Sequence, residues 1–182
     1  TQAGYYNGAN GQPLPGPLAG FWRAAPNGYV PPFAGQLDPT STNITFANPF
    51  PVKQADVTVP VLMTVPNAAS GRTKPAAGWP IVIFNHGITR NRTDALAISA
   101  TLASQGFAVV AIDQPLHGLP RANPLNIENT PLGPLAEERT FDVDYINNTT
   151  GAAGPDGVAD TSGAHTINLA SLLTSRDNLR QA

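Results

Sequence analysis

The sequence predicts an α/β fold, on the strength of two apolar runs and the helical stretch between them. Trp79, Pro80, Ile81, Val82, Ile83 and Phe84 form one run, and Phe107, Ala108, Val109, Val110, Ala111 and Ile112 form the other. Both are uncharged and rich in β-branched residues, as expected of strands buried on both faces of a mostly parallel sheet. Between them Thr93, Asp94 and Ala95 open a stretch whose Leu96, Ala97, Ala100, Leu102 and Ala103 share one helical face, and Gly106 supplies its C-terminal cap. Strand, loop, helix, Gly and strand make a βαβ unit, whose crossover is right-handed in nearly all such units.

The other segments are read around that unit. Residues 1–54 form an irregular Pro/Gly-rich arm, dense in turn formers such as Asn10-Gly11 and Pro31-Pro32. Its aromatics Tyr5, Tyr6, Phe21, Trp22, Tyr29, Phe33, Phe46 and Phe50 require burial against another surface. Residues 55–182 carry the α/β part. Over 55–65, Val57, Val59, Val61, Met63 and Val65 alternate with other residues at period two, and Pro60 marks an edge strand or bulge. Residues 113–134 are turn-rich, 135–146 are compatible with a short helix, and 149–163 read as a Gly/Asp loop. Leu169, Leu172, Leu173 and Leu179 predict a last helix over 167–182. No capping residue follows it, so the fold is expected to continue beyond residue 182.

Composition narrows the function classes. Of 182 residues 41% are hydrophobic and 12% charged, with a net charge of −2, which removes nucleic acid as a partner because no basic surface is available. No apolar run is long enough for a transmembrane segment. Cysteine is absent, so disulfides, thiolate metal sites and cysteine nucleophiles are excluded together. Few lysines (Lys53 and Lys74) and many Asn, Thr, Gly and Pro favour an exported, extracellular or cell-surface protein. The sequons at Asn43, Asn91, Asn147 and Asn148 carry little weight in an Asn/Thr-rich chain.

The chemistry concentrates where the first buried strand runs into Asn85-His86-Gly87-Ile88-Thr89-Arg90. Ligands of open α/β sheets bind beyond the C-terminal ends of the strands. A His-Gly turn there presents backbone N–H groups to a developing oxyanion. Ile88 is the chosen amide donor; Gly87 allows close approach, His86 supports the loop, and Thr89 completes the candidate site. Arg90 and Arg92, with Asp94, suit either a network that fixes this loop or contact with an anionic substrate group.

The stretches 78–94 and 108–118, together with Asp160-Thr161-Ser162-Gly163-Ala164-His165 and 175–181, resemble the bacterial extracellular lipases of the virulence-factor type, which include surface lysophospholipases. The likeness runs from about Val57 to the last residue. It implies the N-terminal part of an α/β-hydrolase sheet, a Ser-His-acid triad, and a carboxylic ester or lipid as substrate, with no cofactor. The family's G-x-S-x-G nucleophile elbow has no counterpart here. Ser104 comes nearest, but Leu102 stands at the first Gly position. By the family's order all three triad residues lie beyond Ala182, in a C-terminal half or on a second chain, and Asp113 stays outside the triad.

The remaining features give weaker signals. His86, His117 and His165 have no zinc spacing; the first two read as loop supports, and His165 as a lid residue at most. Asp156 and Asp160 flank Gly157 but lack the further acids of a calcium loop, and no phosphate loop is present. The leading expectation is therefore a serine esterase or lipase of which this chain supplies the oxyanion loop. The rival, from a different class, is a non-catalytic binding subunit or hydrolase remnant, motivated by the missing nucleophile.

Overall fold

The computed structural model describes residues 22–53, 56–167, 169 and 172–180. They fall into two compact units: one holds the described residues up to Val57, Asp144–Asp156 and those from His165 onward, the other Thr58–Val143 and Gly157–Ala164.

The second unit is built on a three-stranded sheet of β1 (Val61–Thr64), β2 (Ile81–Phe84) and β3 (Ala108–Ile112), in the order β1-β3-β2. β3 lies between the other two, parallel to β2 with Ile83 opposite Val110, and antiparallel to β1 with Met63 opposite Val110. β1 begins directly after Pro60, whose ring nitrogen has no proton to donate to a ladder. The expected strand over 55–65 is thus cut to four residues, and Val57 is exposed.

Helix α1 (Leu96–Ser104) connects β2 to β3. Asn91 starts the turn that leads into it, its side chain accepting the Thr93 N–H at 3.1 Å. At the other end Gly106 sits at φ +84°, with its N–H on the Ala103 carbonyl and the Phe107 N–H on the Leu102 carbonyl, at 2.9 and 3.0 Å. This is a Schellman closure; a left-handed backbone at that position is what glycine permits. Ala95 and Leu102 cover one sheet face, against Leu62, Phe84, Val109 and Ala111.

The opposite face differs from expectation. The run 79–84 is expected to be buried on both sides, yet Ile81 and Ile83 are exposed, Ile83 to 81%, and Val61 and Met63 on β1, across β3, are exposed too. The strand chemistry is that of a two-sided sheet, but among the described residues a covering layer, α1 with the turn before it, lies on one face.

Residues 135–146, read as a short helix, hold none. Pro134 opens only a single 3₁₀ turn (Gly133–Leu135), after which Glu138 and Arg139 turn inward to ion-pair and hydrogen-bond partners.

In the first unit Trp22, Ala24 and Ile44 form a small core with Leu173 of α2 (Leu172–Leu179) against it, and the Trp22 indole N–H donates to Asn178 Oδ1 at 3.3 Å. Regular structure is sparse over 22–53, where turns and isolated bridges replace strands. Of the arm's aromatics Trp22 is buried, whereas Phe46 and Phe50 are exposed although Phe33 stacks edge-on against Phe46 at 5.1 Å. Tyr5, Tyr6 and Phe21 lie outside the described residues, as does part of the segment read as the last helix.

Candidate active site

Because β2 and β3 are parallel neighbours, their C-terminal ends bring Asn85-His86-Gly87 beside Asp113-Gln114. His86 is buried and makes two bonds. Its Nε2 lies 3.0 Å from the Gln114 backbone nitrogen, which can only donate, so Nε2 is the unprotonated nitrogen. Nδ1 then carries the proton and donates to the Gly87 carbonyl at 2.8 Å. The neutral tautomer that results makes the 3.6 Å approach of Nε2 to Asp113 Oδ1 a packing contact and not an ion pair. The Gln114 side-chain amide closes the junction by donating to the His86 carbonyl at 2.5 Å and to Asn85 Oδ1 at 3.3 Å.

Gly87 to Arg90 is a β-turn, with the Arg90 N–H on the Gly87 carbonyl at 3.1 Å. The third residue, Thr89, has φ +69°, the pattern of a type II turn, which normally places Gly or Asn there. For a β-branched residue this costs about 1–3 kcal/mol and persists only where surrounding structure imposes it. The Thr89 N–H is held by the Ser162 carbonyl at 3.0 Å.

The Gly87 carbonyl is thus gripped by the His86 ring and by the Arg90 amide. In a trans peptide the N–H points opposite to the C=O, so the Ile88 N–H is directed away from both. It has no hydrogen-bond partner among the described residues, and Ile88 is 40% exposed.

Arg92 lies inside, not at the surface. Its guanidinium bridges Asp113 and Glu138, with bonds of 2.6 and 2.7 Å to the two Glu138 oxygens, one to Asp113 Oδ2, and one of 3.0 Å to the Leu125 carbonyl. Its backbone N–H meets Asp113 Oδ1 at 2.6 Å. Burial works against its charge, but Glu138 and Asp113 outweigh that and hold its pKa above the ordinary arginine value. Glu138 also accepts the Ile127 and Leu119 amides at 2.8 and 3.3 Å, and Arg139 reaches the Asp113 carbonyl at 2.5 Å. Arg90, in contrast, is exposed and paired bidentately with Asp94 at 2.7 Å, which raises its pKa.

His117 is fully buried, its Nδ1 3.0 Å from the Pro115 carbonyl and its ring 4.8 Å from that of His86. Its Nε2 has no partner among the described residues. His165 belongs to the other unit, buried with its ring 6.1 Å from Tyr145. Among the described residues no group of three or more His, Asp or Glu could hold a metal ion.

His86, Gly87, Ile88, Thr89 and Arg90 therefore lie together on one turn, with Arg92 beneath it. The sequence had not pointed to Gln114, Glu138 or Ser162. Glu138 carried only a weak signal, because Glu137, Asp142 and Asp144 stand beside it around Arg139. Ser162 stood in a stretch that carries the family resemblance, but its role was not readable because it acts through a backbone carbonyl.

Comparison with known proteins bears on this stretch. Residues 52–116 match the family described as platelet-activating factor acetylhydrolase, isoform II. The platelet-activating factor acetylhydrolase of Gallus gallus is 37% identical over 51 residues, which is 28% of this chain and 12% of that protein. The chain thus matches about an eighth of the curated relative's length. No solved structure matches. These likenesses support an esterase-type hydrolase. No helix among the described residues is long and apolar enough to cross a membrane.

Proposed function

We propose that this chain is the front part of an exported serine esterase or lipase of α/β-hydrolase type, and that the Ile88 amide is a donor of its oxyanion hole. The observation that carries the reading is the Gly87–Ile88 peptide: its carbonyl is held from two sides, and its N–H is left unengaged beyond the C-terminal end of a parallel strand. A donor fixed before the reaction stabilises developing negative charge without reorganising, which is the source of its catalytic value. In the acyl-transfer step a serine hydroxyl attacks the ester carbonyl while a histidine takes its proton. The carbonyl oxygen becomes the oxyanion and accepts the Ile88 N–H, and collapse of the intermediate expels the alcohol, which receives that proton.

The serine, histidine and acid of the triad come from residues outside this chain or from a second chain, since no G-x-S-x-G occurs within it. The strand order β1-β3-β2 and, among the described residues, the unpaired edge of β2 and the uncovered face bearing Ile81 and Ile83 fit a sheet that further strands and helices complete. The substrate is a carboxylic ester of lipid type; the acetylhydrolase names of the relatives favour short acyl groups. Arg90, exposed at the turn, is the residue placed to meet an anionic head group, whereas Arg92 fixes the loop from below.

The test is Ile88→Pro in the full-length protein. Ile88 occupies the second position of the turn, which proline favours, and its N–H bonds to nothing that would be lost. Proline therefore deletes the donor and keeps the turn. The expected result is a fall in kcat of about 10²–10³-fold in a folded protein. A folded Ile88→Pro protein with parental kcat would remove Ile88 from the mechanism.

A further inference from the structure

The turn that presents Ile88 is held in a conformation its own residues do not favour, since Thr89 is β-branched and sits at φ +69°. Something outside the turn must impose it. Loop 157–164 meets the turn at the Thr89 N–H, which donates to the Ser162 carbonyl at 3.0 Å. The loop is anchored at its base by the buried Asp160, whose N–H donates to the Val143 carbonyl at 2.6 Å.

The next residue, Gly163, makes a second contact. It has φ +62°, and a Cβ built on it would fall 1.9 Å from His117 Cε1 and 2.1 Å from Nε2, inside the ring. The backbone there lies directly on the imidazole, and an antiparallel bridge joins His117 to Ser162. His117 in turn packs at 4.8 Å against His86, whose Nδ1–H holds the Gly87 carbonyl. The dipeptide thus reaches the turn on both sides of Ile88, through Thr89 directly and through His117 and His86 to Gly87.

We propose that Ser162-Gly163 is a positioning element for the Ile88 amide: Ser162 occupies the Thr89 N–H and fixes the left-handed residue, while Gly163, lacking a side chain, lets the loop close onto His117. The inference rests on the oxyanion reading of Ile88. Neither residue touches substrate; their effect passes through the direction of one N–H. A misplacement of about 1 Å at a reacting group costs roughly 10²-fold in rate.

The experiment uses the full-length protein with two changes that reach the same bond by different routes. Gly163→Ala drives the loop off the His117 ring; a backbone ester at Thr89 replaces its N–H by oxygen and adds no bulk. Ester turnover is read as kcat against KM, and amide exchange at Thr89 is followed by mass spectrometry in the parent and in Gly163→Ala. The expected result is faster Thr89 exchange in Gly163→Ala, with kcat lowered about 10–100-fold in both proteins and KM within about 2-fold of the parent. A merely structural role would lower thermal stability and leave kcat of the folded fraction unchanged, which would overturn the proposal. Parental exchange at Thr89 in folded Gly163→Ala would overturn it as well. If Gly163→Ala does not fold, the backbone ester decides alone, and parental kcat there is the contrary result. A parent protein without ester turnover would defeat the esterase reading instead, and the exchange measurement would still decide whether the clamp exists.

Discussion

His117 links buried chemistry to a measurable property. Burial lowers its pKa below 6.5, opposed by the Pro115 carbonyl and Asp113 and aided by His86 and Arg139. Above about pH 6.5 neither the folded nor the unfolded chain protonates this imidazole, and it places no penalty on folding. As pH falls through that value the unfolded chain binds a proton that the folded chain does not, so stability declines until the lowered folded pKa is reached. Urea midpoints measured between pH 7.5 and 5 should therefore decline in the parent, with a shallower slope in His117→Gln. Equal slopes would show that His117 does not carry the effect. The same scale explains why the site was only partly readable. His86-Gly87 at the end of an apolar strand is a local pattern, and the sequence carries it. Thr89 in a left-handed turn is not, because threonine has no preference for that region and its conformation comes from a carbonyl some seventy residues away.

At the scale of elements, the βαβ unit was legible because each boundary has a chemical cause: β-branched runs, the Asn91 cap and the Gly106 closure. Gly106→Ala should destabilise the protein by about 1–2 kcal/mol, since any side chain there meets the left-handed penalty; a thermal midpoint equal to the parent's would contradict the closure described. What lay hidden is the cluster that ties three segments together. Arg92 precedes α1, Asp113 directly follows β3, and Glu138 comes from a segment with the composition of a short helix. No local period reports a partner 46 residues distant. Removing Glu138 strands part of a buried guanidinium, and breaking such a pair typically costs about 3–5 kcal/mol. Glu138→Ala, followed by chemical denaturation, should lose about 3 kcal/mol because Asp113 still faces Arg92. A loss under about 1 kcal/mol, the range of surface pairs, would mean that the cluster does not hold the loop.

For the molecule as a whole, the exposed face of the sheet and the missing nucleophile point the same way. Val61, Met63, Ile81 and Ile83 form an apolar stripe on the side of the sheet away from α1, and a stripe of this kind marks a surface that another element covers. The sequence read both faces of β2 as buried because its composition suits a sheet covered on both faces, and the described residues supply one such layer. Under the proposed function the covering elements and the triad come from the same further segment, so that oxyanion loop and nucleophile meet only when that segment docks. The most direct measurement is fluorophosphonate labelling of the full-length protein beside the 182-residue chain, with the labelled residue located by mass spectrometry. One label is expected on the full-length protein, on a serine outside these residues, and none on the chain alone. An unlabelled full-length protein, or a label on a serine within this chain, would contradict the proposed function.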